Sequence, residues 1–277
     1  MRIIYLGDIV GKSGRTVVLN EMARLRHELA ADFVIVNGEN AAHGFGITRK
    51  IFQSLLDAGA DVVVTGNHAW DQRETADFID DEPRLLRPIN FPPHTPGRGH
   101  GVFDLADGRK VLVAQAQGRL FMNPMDDPFR TMDLVVRNHA LGNGVDAAFV
   151  DIHAEASSEK MGMGHFLDGR VSAVVGSHTH VPTADAQILP GGTAFLTDIG
   201  MCGDYDSIIG MQKEAALARF TEVTPTERLQ PATGEATLCG VLLETDDDTG
   251  LAVSFEPIRI GGRLRTILPK TSAAPEK

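Results

Sequence analysis

The chain has 277 residues, and its content of 43% hydrophobic and 23% charged residues is typical of a soluble globular protein. The net charge of −11 argues against an extended nucleic-acid surface, which needs a basic face, although a bound metal can still attract a small anion. No run of about 18 apolar residues is available to span a membrane, and Asp8 interrupts the apolar start where a signal peptide would continue. We therefore expect a cytoplasmic protein whose two cysteines, Cys202 and Cys239, are reduced.

Strands and helices alternate in the first part of the chain. Apolar runs at 2–7, 32–37 and 61–65 predict three strands. Between them, apolar residues at helical spacing predict a helix from Arg15 to about Ala31, and Thr48 is placed to cap a second helix that runs to about Ala58. This β-α-β-α-β order is typical of a parallel sheet.

The rest of the chain combines hairpins with further strand and helix signals. We predict hairpins at 102–115 and 186–197, helices at 128–141 and 155–168, strands at 146–152 and 171–175, a glycine-rich loop at 198–210 before a helix to about 220, and strands at 236–245 and 251–260. The proline-rich segment 84–101 and the segment 118–128 are predicted to be irregular and to form the pocket wall. The expected fold is α/β, with two mixed sheets packed face to face and helices outside. One domain should cover residues 1–270, followed by a disordered tail at 271–277.

Polar residues that can bind metal follow five of the predicted strands. They are Asp8, Glu39, Asn40, Asn67, His153, His178 and His180. Because ligands bind at the carboxyl ends of strands in α/β sheets, we expect all of them at one edge of one sheet. Imidazole, carboxylate and amide ligands without thiolate suit Mn, Fe or catalytic Zn, and seven candidates are about right for two ions. With a bridging hydroxide the site would carry about +1, which suits a small anionic substrate.

His68 directly follows the candidate ligand Asn67 and is predicted to be the general acid that protonates the leaving alkoxide, because histidine titrates near neutrality. The alternatives for His68 are an eighth ligand or a structural histidine. His43 is a candidate for contact with the substrate phosphate, and a solvent-facing loop residue is the alternative. The stretch from Gly7 to Ser13 is one residue too short between its glycines for a P-loop, and no G-x-S-x-G motif supports a serine hydrolase.

Several motifs together resemble those of the calcineurin-like metallophosphoesterase superfamily, namely Gly7-Asp8, Asn67-His68 and His178-Thr179-His180. The stretches Asn37-Gly38-Glu39-Asn40-Ala41-Ala42-x-Gly44-x-Gly46, Gly66-Asn67-His68-x-Trp70-Asp71 and Asp198-Ile199-Gly200-Met201 are similar to the YmdB-type bacterial subfamily. The resemblance implies a four-layer α/β/β/α sandwich and a di-metal phosphodiesterase that hydrolyses 2′,3′-cyclic nucleotides by in-line attack of a metal-bridging hydroxide.

The resemblance also implies the role of each candidate residue. Asp8, Glu39, Asn40 and His180 would bind the first ion, Glu39 would bridge to the second, and Asn67, His153 and His178 would complete the second, with iron or manganese as the metal. Asn40 would replace the histidine of the usual D-x-H motif, and Glu39 would replace the usual bridging aspartate. The expected partner is a small phosphodiester substrate, and no association with a membrane is expected. A homo-oligomer is compatible with this sequence. The alternatives are a phosphomonoesterase or nuclease on the same site, or a metal-binding regulator, although an intact His68 favours an enzyme.

Overall fold

The three early apolar runs form neighbouring parallel strands in the computed structural model, which describes residues 1–224 and 227–269. They are β1 (Arg2–Leu6), β3 (Phe33–Asn37) and β4 (Val62–Val64), and they are separated by β2 (Asp8–Ile9), α1 (Gly11–Glu28) and α2 (Arg49–Asp57). Thr48 caps α2 as predicted, because its side chain accepts a hydrogen bond from the Ile51 N–H. The predicted parallel start is therefore confirmed.

The later elements follow the predicted order with small shifts of their ends. They are β5 (Leu85–Leu86), β6 (His100–Asp104), β7 (Lys110–Gln117), α3 (Pro128–Asn138), β8 (Ala147–His153), α4 (Ser157–Leu167), β9 (Ala173–Ser177), β10 (Gln187–Ile188), β11 (Ala194–Leu196), β12 (Met201–Asp204), α5 (Lys213–Thr221), β13 (Ala236–Thr245) and β14 (Ala252–Ile260). Short 3₁₀ turns lie at Gly66–His68 and Arg73–Asp77. Both predicted hairpins are present, as β6–β7 and β10–β11.

Two mixed sheets divide these strands between them. The first has the order β2-β12-β13-β1-β3-β4-β5, with β14 paired to β13, and the second has the order β10-β11-β9-β8-β7-β6. Strand β13 lies antiparallel to β1, so the last long hairpin closes against the first strand of the chain. No helix of the described ranges is long and apolar enough to cross a membrane.

Side chains on opposite faces of the strands fill three of the hydrophobic cores. On β1, Ile3 and Tyr5 face the second sheet, and the Tyr5 ring stacks on Phe149 of β8 with a centroid distance of 5.2 Å. Ile4 and Leu6 face outward and pack with α1 and α2. A third core joins the outer face of the second sheet to α3 and α4. The layers are therefore α/β/β/α, as predicted.

Three local predictions are wrong. The segment 84–101, expected to be irregular, contains strand β5, which pairs with β4, and the start of β6. Helix α1 begins at Gly11, not Arg15. The glycines Gly11 and Gly14 suggest a loop when the sequence is considered alone, but both lie in the first turn of the helix. A Cβ atom on Gly14 would lie 2.1 Å from the Cys202 carbonyl oxygen, so this glycine permits a close approach inside a helix. The glycine-rich segment 198–210 contains the buried strand β12. The predicted disordered tail, 271–277, lies outside the described residues.

Candidate metal centre and catalytic cleft

The seven strand-end residues come together, but they belong to two sheets. Asp8, Glu39, Asn40 and Asn67 follow or begin strands of the first sheet, whereas His153, His178 and His180 end or follow strands of the second. The prediction of one edge of one sheet is therefore wrong. The carboxyl ends of β3, β4, β8 and β9 meet because the two sheets are stacked with these edges on the same side.

Glu39 is the residue that the two groups of donor atoms have in common. Glu39, His153 and His178 form one group, and Asp8, Glu39 and His180 form the other. Within each group the candidate ligand atoms all lie within 4.8 Å of one another. Asp8, Glu39 and His153 are fully buried. A carboxylate shared in this way is the arrangement expected of a residue that bridges two ions.

His153 presents Nε2 to the first group. Nε2 lies 3.0 Å from Glu39 Oε1, 2.9 Å from Asn67 Oδ1 and 3.2 Å from His178 Nδ1. Its Nδ1 lies 2.8 Å from Ser177 Oγ, and this hydroxyl donates to Asp151 Oδ1 at 2.7 Å. Because the hydroxyl proton goes to Asp151, Ser177 accepts from His153 Nδ1–H, and Nε2 is left to face the donor group.

His180 is held in the same manner in the second group. Its Nδ1 donates to the Ile209 carbonyl oxygen at 2.8 Å, and its Nε2 lies 3.1 Å from Asn40 Nδ2. The same amide nitrogen of Asn40 lies 3.3 Å from Glu39 Oε2. Asp8 Oδ1 accepts from the Asn37 side chain at 2.9 Å. Backbone and amide partners therefore fix the orientation of both His180 and Asp8 from outside the group.

The pKa values of the buried groups reveal a local excess of negative charge. Burial lowers the pKa of His153, but the carboxylates of Glu39, Asp8 and Asp151 together outweigh burial and raise that pKa to about 9. Burial raises the pKa of Glu39, but the charge and hydrogen bond of His153 outweigh it, and the Glu39 pKa ends well below its usual range. Burial, followed by repulsion from His153, lowers the pKa of His178 to about 3. Asp8 and Glu39 thus attract a positive charge to this point, which a proton or a metal ion supplies.

The loop that carries His178 and His180 has a strained backbone. The two residues have φ values of +94° and +66°, in the left-handed region that non-glycine residues rarely adopt. The buried Asp198 carboxylate accepts hydrogen bonds from the N–H and the hydroxyl of the intervening Thr179. Lys160 Nζ lies 2.6 Å from the same oxygen, and both charged side chains are buried. This ion pair therefore holds the strained loop in place.

His68 lies outside both donor groups and next to them. Its backbone N–H donates to Glu39 Oε1 at 3.0 Å, and its Nδ1 lies 2.7 Å from Asp71 Oδ2. Phe45 contacts the imidazole edge to face with a centroid distance of 5.1 Å. The ring lines a cleft of about 230 Å³, here called the His68 cleft, with Glu39, Asn40, Phe45, Glu155, His178, Thr179, His180, Ile209, Met211 and Leu229. The candidate substrate contact His43 is exposed and does not line this cleft.

A family model described as "YmdB-like protein" matches residues 4–258. The chain belongs to this family. The YmdB-type resemblance seen in the motifs is therefore confirmed, and so is the predicted class of enzyme, a hydrolase that acts on phosphoric ester bonds.

One curated relative of this YmdB-like chain is the 2′,3′-cyclic-nucleotide 2′-phosphodiesterase of Bacillus subtilis (strain 168). The two are 48% identical over 260 residues, which cover 94% of this chain and 97% of the relative. Among solved structures, a hypothetical protein of Thermus thermophilus has a TM-score of 0.88 and 41% identity, and the match covers 95% of this chain and 100% of that protein. A novel phosphatase of Mycoplasma pneumoniae has a TM-score of 0.87 and 35% identity, with coverages of 94% and 93%. These structures confirm the metallophosphoesterase-like fold.

Sequence reasoning missed the residues that orient the predicted ligands and the predicted general acid His68. Asp71 stands three residues after His68 in the same motif, so its spacing was the available signal. Asp151 precedes His153 by two residues on the same strand and therefore shares its face, although its connection through Ser177 depends on the neighbouring strand β9. The Lys160–Asp198 pair joins a helix to a distant loop, and no local pattern in the sequence indicates it.

Proposed function

We propose that this YmdB-like protein is a di-metal phosphodiesterase that hydrolyses 2′,3′-cyclic nucleotides. One observation carries the proposal: each of three histidines has one ring nitrogen near an outer acceptor and the other near the shared carboxylate. The outer acceptors are Ser177 Oγ for His153, the Ile209 carbonyl oxygen for His180 and, at 3.4 Å, Glu155 Oε2 for His178. Converging lone pairs of this kind, with buried carboxylates between them, fit divalent cations.

The two donor groups support the following assignment. Asp8, Glu39, Asn40 and His180 would hold one ion, and Glu39, Asn67, His153 and His178 would hold the other. Asn67 already directs Oδ1 toward the first group, 2.9 Å from His153 Nε2. Asn40 directs Nδ2 inward, and rotation of its amide by half a turn would present Oδ1 instead. The mixed nitrogen and oxygen ligands favour iron or manganese.

The residues around the donor groups supply the remaining chemistry. When bound, two divalent ions contribute Lewis acidity and an activated water. His68 donates a proton to the leaving 2′-oxygen, because its ring lines the cleft while its backbone is held by Glu39. Asp71 accepts from Nδ1 and thereby holds the imidazole in one orientation, as the third member of a catalytic triad does. His43 is exposed and does not line the His68 cleft, so its contact with the substrate phosphate stays a prediction.

The substrate class follows from the charge and size of the site. The chain carries a net charge of −11, so a small anion can approach only where metal reverses the field. The His68 cleft, of about 230 Å³, lies below the usual size range of ligand pockets, which favours a small substrate over a polymer. The activity named for the Bacillus subtilis relative, which is similar over nearly its whole length, supports a 2′,3′-cyclic nucleotide as that substrate.

Purification without added metal, followed by elemental analysis and a substrate panel, tests the proposal. We expect two ions per chain and hydrolysis of 2′,3′-cyclic AMP in preference to 3′,5′-cyclic AMP, an aryl phosphomonoester and RNA. Preference for the monoester or for RNA would favour the phosphatase or nuclease alternative. Two bound ions without turnover of any compound would favour a regulatory role.

A further inference from the structure

A second cleft, of about 350 Å³, meets the donor cluster at Asn67 and His178. It is called here the Gln117 cleft and is also lined by Gln117, Phe121, Met122 and Asn123. The two clefts share only His178, so they approach the metal donors from different sides. A substrate that reacts between them therefore has two ends to place, one in each cleft.

Gln117 lines this cleft, and its side chain has an unpaired acceptor. Its side chain is fully buried, and its backbone N–H and carbonyl are both bonded to the Asn90 amide at 2.8 Å. In residues 1–224 and 227–269, Gln117 Oε1 is the one buried side-chain oxygen or nitrogen without a hydrogen-bond partner. Because a buried unpaired acceptor is costly, a ligand that donates to Oε1 gains stabilisation that other ligands do not.

The loop over this cleft is firmly anchored at both ends. Glu159 accepts from the Arg119 N–H at 3.0 Å and from the Leu120 N–H at 3.2 Å, and Asn90 exchanges hydrogen bonds with the backbone of Asp126. Between these anchors Phe121 is 90% exposed and has φ of +63°. Phe121 also lines the Gln117 cleft, so its exposed ring is available to a ligand there.

The chemistry of the substrate decides which end enters this cleft, and this step rests on the proposed function. In a 2′,3′-cyclic nucleotide, the carbon that bears the 2′-oxygen adjoins C1′ and the base, whereas C3′ adjoins C4′ and the 5′-hydroxymethyl group. When His68 protonates the 2′-oxygen, the base side of the ribose lies toward the His68 cleft, with its apolar residues Phe45, Met211 and Leu229. The 5′ side then lies toward the Gln117 cleft.

We propose that the Gln117 cleft binds the 5′-hydroxyl group of a mononucleotide substrate, with Gln117 Oε1 accepting its hydrogen bond. A 5′-phosphate or a preceding nucleotide would remove that donor. None of the residues that line the cleft is lysine or arginine, and the nearby Arg119 is paired with Asp127 at 3.3 Å. The site thus selects free mononucleoside 2′,3′-cyclic phosphates over the ends of RNA chains.

The first test compares 2′,3′-cyclic AMP with its 5′-deoxy and 5′-phosphorylated analogues on the metal-loaded wild-type protein. We expect kcat/KM to fall about 5- to 100-fold for the 5′-deoxy analogue, the range set by an unpaired buried acceptor, and at least as far for the 5′-phosphate. Equal values for the three compounds would overturn the inference alone. A protein that holds two ions and hydrolyses none of them would reject the proposed function, and the inference with it.

The second test uses Gln117→Leu, with Leu229→Ala in the His68 cleft as the matched control. Gln117→Leu should lower kcat/KM for 2′,3′-cyclic AMP and make it equal to that for the 5′-deoxy analogue. Leu229→Ala should lower both values by the same factor and keep their ratio. The assignment would be overturned if Gln117→Leu kept the ratio of the two values and Leu229→Ala made them equal. Calorimetric binding of 3′-AMP and 5′-deoxy-3′-AMP to the wild type gives the same comparison without turnover, and equal affinities would contradict the inference even if Gln117→Leu does not fold.

Discussion

Replacement of Lys160 by methionine should destabilise the protein and weaken its hold on metal. The change keeps the length of the side chain but removes the cation that lies 2.6 Å from the buried Asp198 carboxylate. Breaking a buried pair on one side costs about 3–5 kcal/mol. Asp198 keeps hydrogen bonds from Thr179 and from the Gly200 N–H, so we expect a loss near the lower end, about 3 kcal/mol.

Urea and thermal unfolding of chelator-treated protein measure this loss without the contribution of bound metal. A loss of about 3 kcal/mol should lower the midpoint of thermal unfolding by roughly 5 °C in a chain of this size. Adding Asp198→Asn to Lys160→Met removes the stranded charge and should recover part of the loss, because the remaining polar groups are neutral. Metal content should also fall, since the strained His178–His180 loop loses its support. A change below about 1 kcal/mol with unaltered metal content would refute the reasoning.

Three further substitutions test the site itself. His68→Ala should retain both ions and lose about 10²–10⁴-fold in turnover, and loss of metal with unchanged activity per bound ion would contradict the role of proton donor. Glu39→Gln should lose both ions, because Glu39 belongs to both donor groups; two tightly held metals by elemental analysis would reject the bridge. Gly66→Ala should lower metal content, because its Cβ would lie 2.5 Å from Glu39 Oε1 and 2.6 Å from His153 Cε1. Gly142→Ala controls for backbone strain, because Gly142 has a similar positive φ and an added Cβ would have no atom within 4 Å. An equal loss of metal in Gly142→Ala would show that the clash at Gly66 is not the cause.

The candidate ligands were predictable because their chemistry is local. Asp8, Glu39, Asn67, His153 and His178 each follow a short apolar run, and residue type and strand ends are both readable from the sequence. Their division between two sheets was not predictable, because it depends on which strands pair. Strand β1 pairs with β13 near the other end of the chain, and no local pattern specifies such a partner.

Loops were predicted less well than strands, for a related reason. Of the two segments expected in the pocket wall, 118–128 lines the Gln117 cleft through Phe121, whereas 84–101 lines neither cleft. The latter instead wraps around the buried Arg87, whose guanidinium donates to the backbone carbonyls of Pro88, Thr95, Pro96 and Gly97. Proline content predicts irregular structure but not which side chain organises it.

The division of the candidate ligands between the two sheets would give a bound metal a mechanical role. Glu39 belongs to the first sheet, and His153 and His178 belong to the second, so an ion held by all three clamps the sheets together at one edge. The apolar layer between the sheets, which includes Tyr5 and Phe149, would then resist separation more strongly as the free metal concentration rises. An ion present at about 100 times its dissociation constant adds about 2.7 kcal/mol to stability. Removal of metal would therefore weaken the packing of the two sheets as well as abolish the activity.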